Sequence, residues 1–335
     1  MHRPVMPPNS EDSQLTKEEA TDLEPEKVSG AQRPRRAKWI ERSKILFSAL
    51  VLVFLVTRVK PSQMAAAMSE ADFSYLLLAL AILPLNLFWQ SSRWWLLLKK
   101  VKPEVSFKES FQSTLVGLTL GLTIPGGVGG WGKILIIPEK NRATLLGLAV
   151  AESLSMYFAT LFWGLPALAF FLFGKLRLAL LIMLVFSLVI ITVVLFRKNL
   201  YQTIYPLIPF KSKAADFGEA VKLLGAGKIF TILGISLVFF LTFNFQLFLI
   251  VRAFVDLGGI FLAASISMIF LVKNSFPIGF GDLGTREGVA IFFLGKCGIS
   301  SSQALDSSLL LFAINMLLPA LFGSLYLKRL RLRAK

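Results

Sequence analysis

Apolar runs of roughly 18 residues or more recur along this chain, long enough to cross about 30 Å of hydrocarbon as helices rising about 1.5 Å per residue. Leu178–Phe196 is the plainest, carrying no charged residue between Arg177 and Arg197. A backbone facing lipid must satisfy its own polar groups, so runs of this length are confined to helices. The composition agrees: of 335 residues, 55% are hydrophobic and 17% charged, against about 25% charged in soluble domains. The expected fold is all-α, a polytopic helical membrane protein.

Six full spans follow from apolar runs bounded by Lys and Arg: Ile45–Val59, Phe73–Leu98, Thr144–Phe173 with Gly164 and Pro166 inside it, Leu178–Phe196, Ile229–Val251 and Ala304–Leu327. Residues 1–38 are polar and mixed in charge, without an apolar period, and read as a disordered tail and not as a secretory signal. Residues 39–330 form the membrane domain. Arg33, Arg35, Arg36, Lys38, Arg42 and Lys44 precede the first span, and Lys328, Arg329, Arg331, Arg333 and Lys335 follow the last. By the positive-inside rule both termini are cytoplasmic, in a cell (plasma) membrane. Arg93, Lys99, Lys100 and Lys102 read as the cytoplasmic flank of the second span. Between Arg197 and Lys228, Phe217, Val221 and Leu224 recur at helical spacing, which fits either a surface helix or a solvated loop. The net charge of +16 is thus accounted for at the membrane surface. No soluble block is left to carry a nucleic-acid face.

Two further apolar segments, within 110–138 and 258–299, are interrupted. The first contains Pro125, Gly126, Gly127, Gly129 and Gly130; the second contains Pro277, Gly279, Gly281 and Gly284. Pro removes a backbone donor and Gly tolerates positive φ, so both segments should unwind at these breaks. Unwound backbone at membrane depth must be buried in protein or line a wet cavity. Charges on both sides of the first segment (Lys108 and Glu109, then Glu139, Lys140 and Arg142) belong to one face, so it is expected to be re-entrant. The second segment is expected to re-enter from the opposite face. Each lies between two spans, and the two triplets form an inverted repeat. Paired broken helices in an inverted repeat are the pattern of secondary transporters. Glycines that merely let helices pack closely are the plainer alternative.

Other chemistry is poorly supported. With one histidine, His2, and one cysteine, Cys297, no His- or thiolate-based metal centre is expected, and Cys297 reads as a packing residue. Gly127–Lys133 has the spacing of a P-loop, but Ile134 stands where Ser or Thr must hold Mg²⁺. Gly279, Gly281 and Gly284 have dinucleotide-motif spacing without a βαβ frame. No cofactor and no metal are expected, and an enzyme is the less favoured reading.

Charged residues at depth single out candidate positions. Glu152 lies about two turns inside an apolar span, where a charge costs roughly 2.5–3.5 kcal/mol and demands a partner or water. Lys133, Lys273, Asp282, Arg286 and Glu287 lie on the broken segments and are candidate partners. Such a cluster can pair internally at rest and offer its cations to a phosphate. A structural ion pair, or a long side chain snorkelling to the interface, is the alternative for each. Asn244, Gln246 and Asn315 read as interhelical glue.

Phe276–Gly279, Gly284-Thr285-Arg286-Glu287-Gly288, Gly298–Ala304 and Asn315–Pro319 resemble the membrane region of the lysylphosphatidylglycerol synthase family, whose members are also described as flippase-like. Pro125-Gly126 and Glu152 look like the counterparts in the first half. The resemblance covers roughly residues 40–330 and implies a protein that carries lipids across the bilayer or serves a glycolipid or envelope pathway. The fused aminoacyltransferase domain of some members has no counterpart here, so lysyl transfer is not implied. Gly127 and Trp131 stand where the family commonly has an Arg and an acidic residue. The combined expectation is a protein that binds or translocates an anionic phospholipid or lipid-linked sugar, with Glu152, Arg286, Glu287, Lys133, Asp282 and Lys273 along the headgroup path. The alternatives are a membrane-embedded lipid-modifying enzyme, such as a polyprenyl-phosphate glycosyltransferase, and a non-transporting subunit of an envelope complex. A homo-oligomer or an envelope-enzyme partner is compatible with either.

Overall fold

The computed structural model describes residues 68–123, 128–139, 141–196, 224–276 and 284–333, together with 62, 66 and 199. The tail 1–38, the expected span Ile45–Val59, most of the 197–228 connection and the breaks at 124–127 and 277–283 lie outside these residues. Among the described residues there is no strand. The helices are α1 (Phe73–Ala81), α2 (Leu83–Leu98), α3 (Phe107–Thr123), a 3-10 helix (Val128–Ile136), α4 (Arg142–Phe173), α5 (Leu176–Leu195), α6 (Ala226–Arg252), α7 (Ile260–Ser275), α8 (Thr285–Gly295), α9 (Ser301–Phe312) and α10 (Leu318–Arg333). A π-helical turn at Ala313–Leu317 joins α9 to α10.

Among the described residues, five stretches are long and apolar enough to cross a membrane: Phe73–Leu98, Arg142–Phe173, Leu176–Leu195, Ala226–Arg252 and Ser301–Leu327. They coincide with five of the six expected spans. Local chemistry sets their ends. The Asn141 side chain accepts from the Thr144 amide at the start of α4, and Gly174 closes that helix with φ +65°, a left-handed cap that glycine adopts without strain. Ser300 and Gln303 form a capping box at the start of α9. Pro84 sits in the first turn of α2, where its missing N–H is least costly; the chain therefore steps at Ile82 within one span. In the first turn of α3, Glu109 accepts from Lys102 at 2.9 Å, and that hydrogen bond is the chief reason its carboxyl is held below the usual range.

The first broken segment turns back on itself. Ser113 donates to the Lys133 carbonyl at 2.8 Å, and further along Gly129 lies against the backbone of Leu120 and Gly121, so α3 and the 3-10 helix run antiparallel. A Cβ at Gly129 would meet the Leu120 carbonyl, which explains the glycine at this close backbone approach. Either side of the second break, α7 packs against α8.

Around these segments α4 packs on α5, α6 and α7, and α2 packs on α3 and α6. The main core gathers Phe240, Leu247, Ile250, Ile266, Ile269 and Leu294 from α6, α7 and α8. By contrast α5 exposes Leu180, Leu181, Leu184, Val185, Leu188 and Val189, a surface suited to lipid and not to water. Polar glue is present as expected: Gln246 accepts from Asn86 and Asn315, each at 2.7 Å, and donates to the Ala79 carbonyl at 2.7 Å. Asn244 instead donates to the Phe240 carbonyl in its own helix and accepts from Ser267 of α7.

Gly323 of α10 lies against the Leu115 carbonyl and the Thr119 hydroxyl of α3, with no room for a Cβ, whereas Gly234 of α6 faces open space. Gly323→Ala is therefore expected to destabilise the detergent-solubilised protein by about 1–3 kcal/mol. Gly234→Ala should leave thermal unfolding unlowered.

Candidate functional site

A cavity of about 350 Å³ lies where α2, α3, the 3-10 helix, α4 and the end of α7 meet. Its wall includes Gln90 and Arg93 from α2, Trp131 and Lys133 from the 3-10 helix, Glu152 and Tyr157 from α4, and Lys273 and Asn274 from α7. Both broken segments thus contribute to one wall, the first through its returning arm and the second through the last turn before its break.

Local packing holds the charged side chains in place. The Lys133 carbonyl is bonded to Ser113, whose hydroxyl accepts from the Trp94 indole at 2.9 Å, and the Lys133 ammonium lies 4.4 Å from the Trp94 ring centre, a cation–π contact. Arg142 donates to the Ile134 and Ile137 carbonyls at 2.6 and 2.9 Å, closing the end of the 3-10 helix. Trp131 donates to Ser153 of α4 at 3.1 Å.

Glu152 is the hub. One carboxylate oxygen pairs with Lys133 and the other lies 3.5 Å from Arg93. Arg93 also donates to Ser236 of α6 at 3.1 Å, and Ser236 is 2.9 Å from the Ser155 hydroxyl. Glu152 is 6% exposed and Arg93 4%, so this is buried charge that has lost its hydration. Two cations share one carboxylate, and Arg93 Nε has no partner among the described residues. A guanidinium has five N–H donors in a planar fork. Among the described residues, Arg93 therefore has donor capacity beyond what Glu152 satisfies, and Lys273 also lines the wall.

Arg286 and Glu287 lie elsewhere. They pair with each other, Arg286 donates to Ser308 at 2.9 Å, and Ser308 donates to Glu287 at 3.1 Å. Glu287 also accepts from the Gly284 amide at 2.6 Å, where Gly284 has φ +87° at the start of α8. Glu287 is 0% exposed, so the pair is closed and locally neutral, and neither residue lines the cavity. Of the expected path, then, Glu152, Lys133 and Lys273 come together, while Arg286 and Glu287 form a second cluster against α9. Asp282, Pro125, Gly126, Gly127, Pro277, Gly279 and Gly281 lie outside the described residues.

Arg93, read from the sequence as part of the cytoplasmic flank and not as a site residue, lines the cavity wall. A signal for this was present: Asn86, Gln90 and Arg93 recur at four and three residues, one polar stripe on an otherwise apolar span. The stripe was masked by the nearby Lys99, Lys100 and Lys102. Ser155 and Ser236, small polar residues without a charge, carried no comparable signal.

The family model of the lysylphosphatidylglycerol synthase TM region matches residues 43–323. The chain belongs to this family. No curated protein and no solved structure matches it. As a lysylphosphatidylglycerol synthase TM region with five described spans, it is a multi-pass integral membrane protein. The match to this TM region takes in both broken segments, the Glu152 cluster and the Arg286–Glu287 pair.

Removing Lys133 leaves Glu152 with Arg93 alone and removing Glu152 strands both basic groups, whereas removing Lys133 and Glu152 together strands only Arg93. Lys133→Met and Glu152→Gln should each lower stability more than the double variant does in proportion. A double-mutant cycle on thermal or denaturant unfolding in detergent should give a coupling energy of about 0.5–3 kcal/mol; additive effects would mean the contact carries no net energy.

Proposed function

We propose that this protein binds the anionic, phosphate-bearing headgroup of a membrane lipid in the Arg93–Lys133–Glu152 cavity and carries it across the bilayer. The observation that carries the reading is geometric: two buried basic side chains, Arg93 and Lys133, converge on one carboxylate at the wall of a cavity. A phosphate offers several acceptor oxygens to such a site, and Arg and Lys bind phosphate by fork and by point charge respectively. At about 350 Å³ the cavity is at the lower end of small-ligand sites, suited to a headgroup and not to a whole lipid.

On this reading Glu152 is the resident anion. It holds Arg93 and Lys133 in position at the cavity wall, and an incoming phosphate takes over part of its role. Charge on the lipid is then neutralised by protein groups instead of water, which lowers the cost of passing through hydrocarbon. The two broken segments fit a carrier of this kind. We read them as re-entrant from opposite faces in an inverted repeat, with both termini cytoplasmic in the plasma membrane, as the Lys/Arg distribution favours. Phospholipids and lipid-linked sugars both present the required phosphate.

Reconstitution tests the proposal. Proteoliposomes carrying headgroup-labelled phosphatidylglycerol or polyprenyl phosphate should show reorientation well above protein-free vesicles, slowed at least tenfold by Arg93→Gln or Lys133→Gln in protein that elutes as the folded species. Reorientation no faster than in empty vesicles for either lipid would contradict it.

A further inference from the structure

A second cavity of about 430 Å³ lies between α4, α5, α6 and α7, lined by apolar side chains such as Trp163, Phe170, Met183 and Phe248. Its two polar residues are already satisfied: Ser267 donates to Asn244 at 3.2 Å, and Asn244 donates to the Phe240 carbonyl at 2.7 Å. The wall therefore offers little to a polar ligand and suits hydrocarbon.

The charged and apolar cavities share two helices. Asn274 of α7 donates to Thr160 of α4, Leu271 packs on Gly164, and Phe261 stacks on Phe171, so α4 and α7 run antiparallel side by side. On α4, Met156 at the charged cavity and Trp163, Ala167 and Phe170 at the apolar one follow at seven, four and three residues. On α7, Asn274 is related to Ser267, Ala263 and Ile260 by the same steps. Such spacing keeps one face of a helix. Both cavities therefore lie along a single face of each helix. At about 1.5 Å per residue, the apolar wall begins about 9 Å from Tyr157 at the near edge of the charged cavity and about 17 Å from Glu152, beside which the headgroup is placed. One leaflet of hydrocarbon, about half of 30 Å, falls between these two distances.

We propose that the apolar cavity is the seat of a hydrocarbon chain, acyl or prenyl, of the same lipid whose headgroup occupies the charged cavity. This rests on the headgroup reading above. The protein thus grips an amphiphile at two points on one helix pair. Because lipid tails are as apolar as the cavity wall, no hydrophobic gain accompanies entry; selectivity for the occupant comes from tethering to the bound headgroup, which raises the local concentration of that chain over bulk lipid.

Photolabelling the full-length protein in nanodiscs tests this. The probes are phosphatidic acid and phosphatidylcholine carrying the same diazirine near the end of one acyl chain. Labelling at residues 241–248 and 260–267 should be at least fivefold greater with phosphatidic acid, and Lys133→Gln should remove the excess. Equal labelling of these residues by the two probes, in a protein that retains phosphatidic acid preferentially by native mass spectrometry, would overturn the tail site and leave the headgroup reading standing. Equal retention of the two lipids would overturn both.

Discussion

In the interior of a membrane protein an ionised carboxylate has neither water nor a high dielectric to stabilise it, and Glu152 meets that constraint by drawing three parts of the chain together. Lys133 reaches it from the returning arm of the first broken segment, Arg93 from α2, and the Ser155–Ser236 contact ties the same cluster to α6. The position of the 3-10 helix follows from this. A nine-residue helix with glycine at 129, 130 and 132 has few side chains to pack, and here its lysine is clamped by charge, its carbonyl by Ser113 and its indole by Ser153. The glycines permit the close approach to α3, and the ion pair and hydrogen bonds give it a reason to persist.

The two charged clusters are built on different principles. Arg286 and Glu287 satisfy each other, Ser308 and a helix-start amide, and leave nothing over. Such a closed pair positions the start of α8 immediately after a break. Around Glu152, among the described residues, Arg93 keeps a donor that faces no acceptor. An open cluster beside a cavity is where a ligand anion gains most, since desolvation of the protein groups has already been met by folding. The Glu152 cluster is therefore the one we propose for headgroup binding, while the Arg286–Glu287 pair ties down the start of α8.

Much of this fold could be read from the sequence, because membrane spans are governed by a single dominant constraint. A run such as Leu178–Phe196 has few alternatives to a helix in lipid, and the described spans fall within a few residues of the expected ones. The candidate site was only partly legible. Glu152, Lys133 and Lys273 stood out as charges in apolar surroundings, but their grouping is tertiary: it depends on the first segment folding back along α3, which no local spacing specifies. Arg93 was obscured because an arginine six residues from a cluster of lysines satisfies the positive-inside rule as well as a binding role does. Arg286 and Glu287 stood out for the same reason as Glu152, yet adjacent residues of opposite charge can satisfy each other, and composition alone does not distinguish a closed pair from an open one.

The central claim is that a lipid phosphate occupies the space between Arg93 and Lys133. A cryo-electron microscopy map of the protein in nanodiscs containing phosphatidylglycerol addresses it most directly. The account predicts phosphate density in the cavity at hydrogen-bonding distance, about 3 Å, from the Arg93 guanidinium and the Lys133 ammonium. A well-resolved cavity holding only water, with every lipid phosphate in the two headgroup layers, would contradict it.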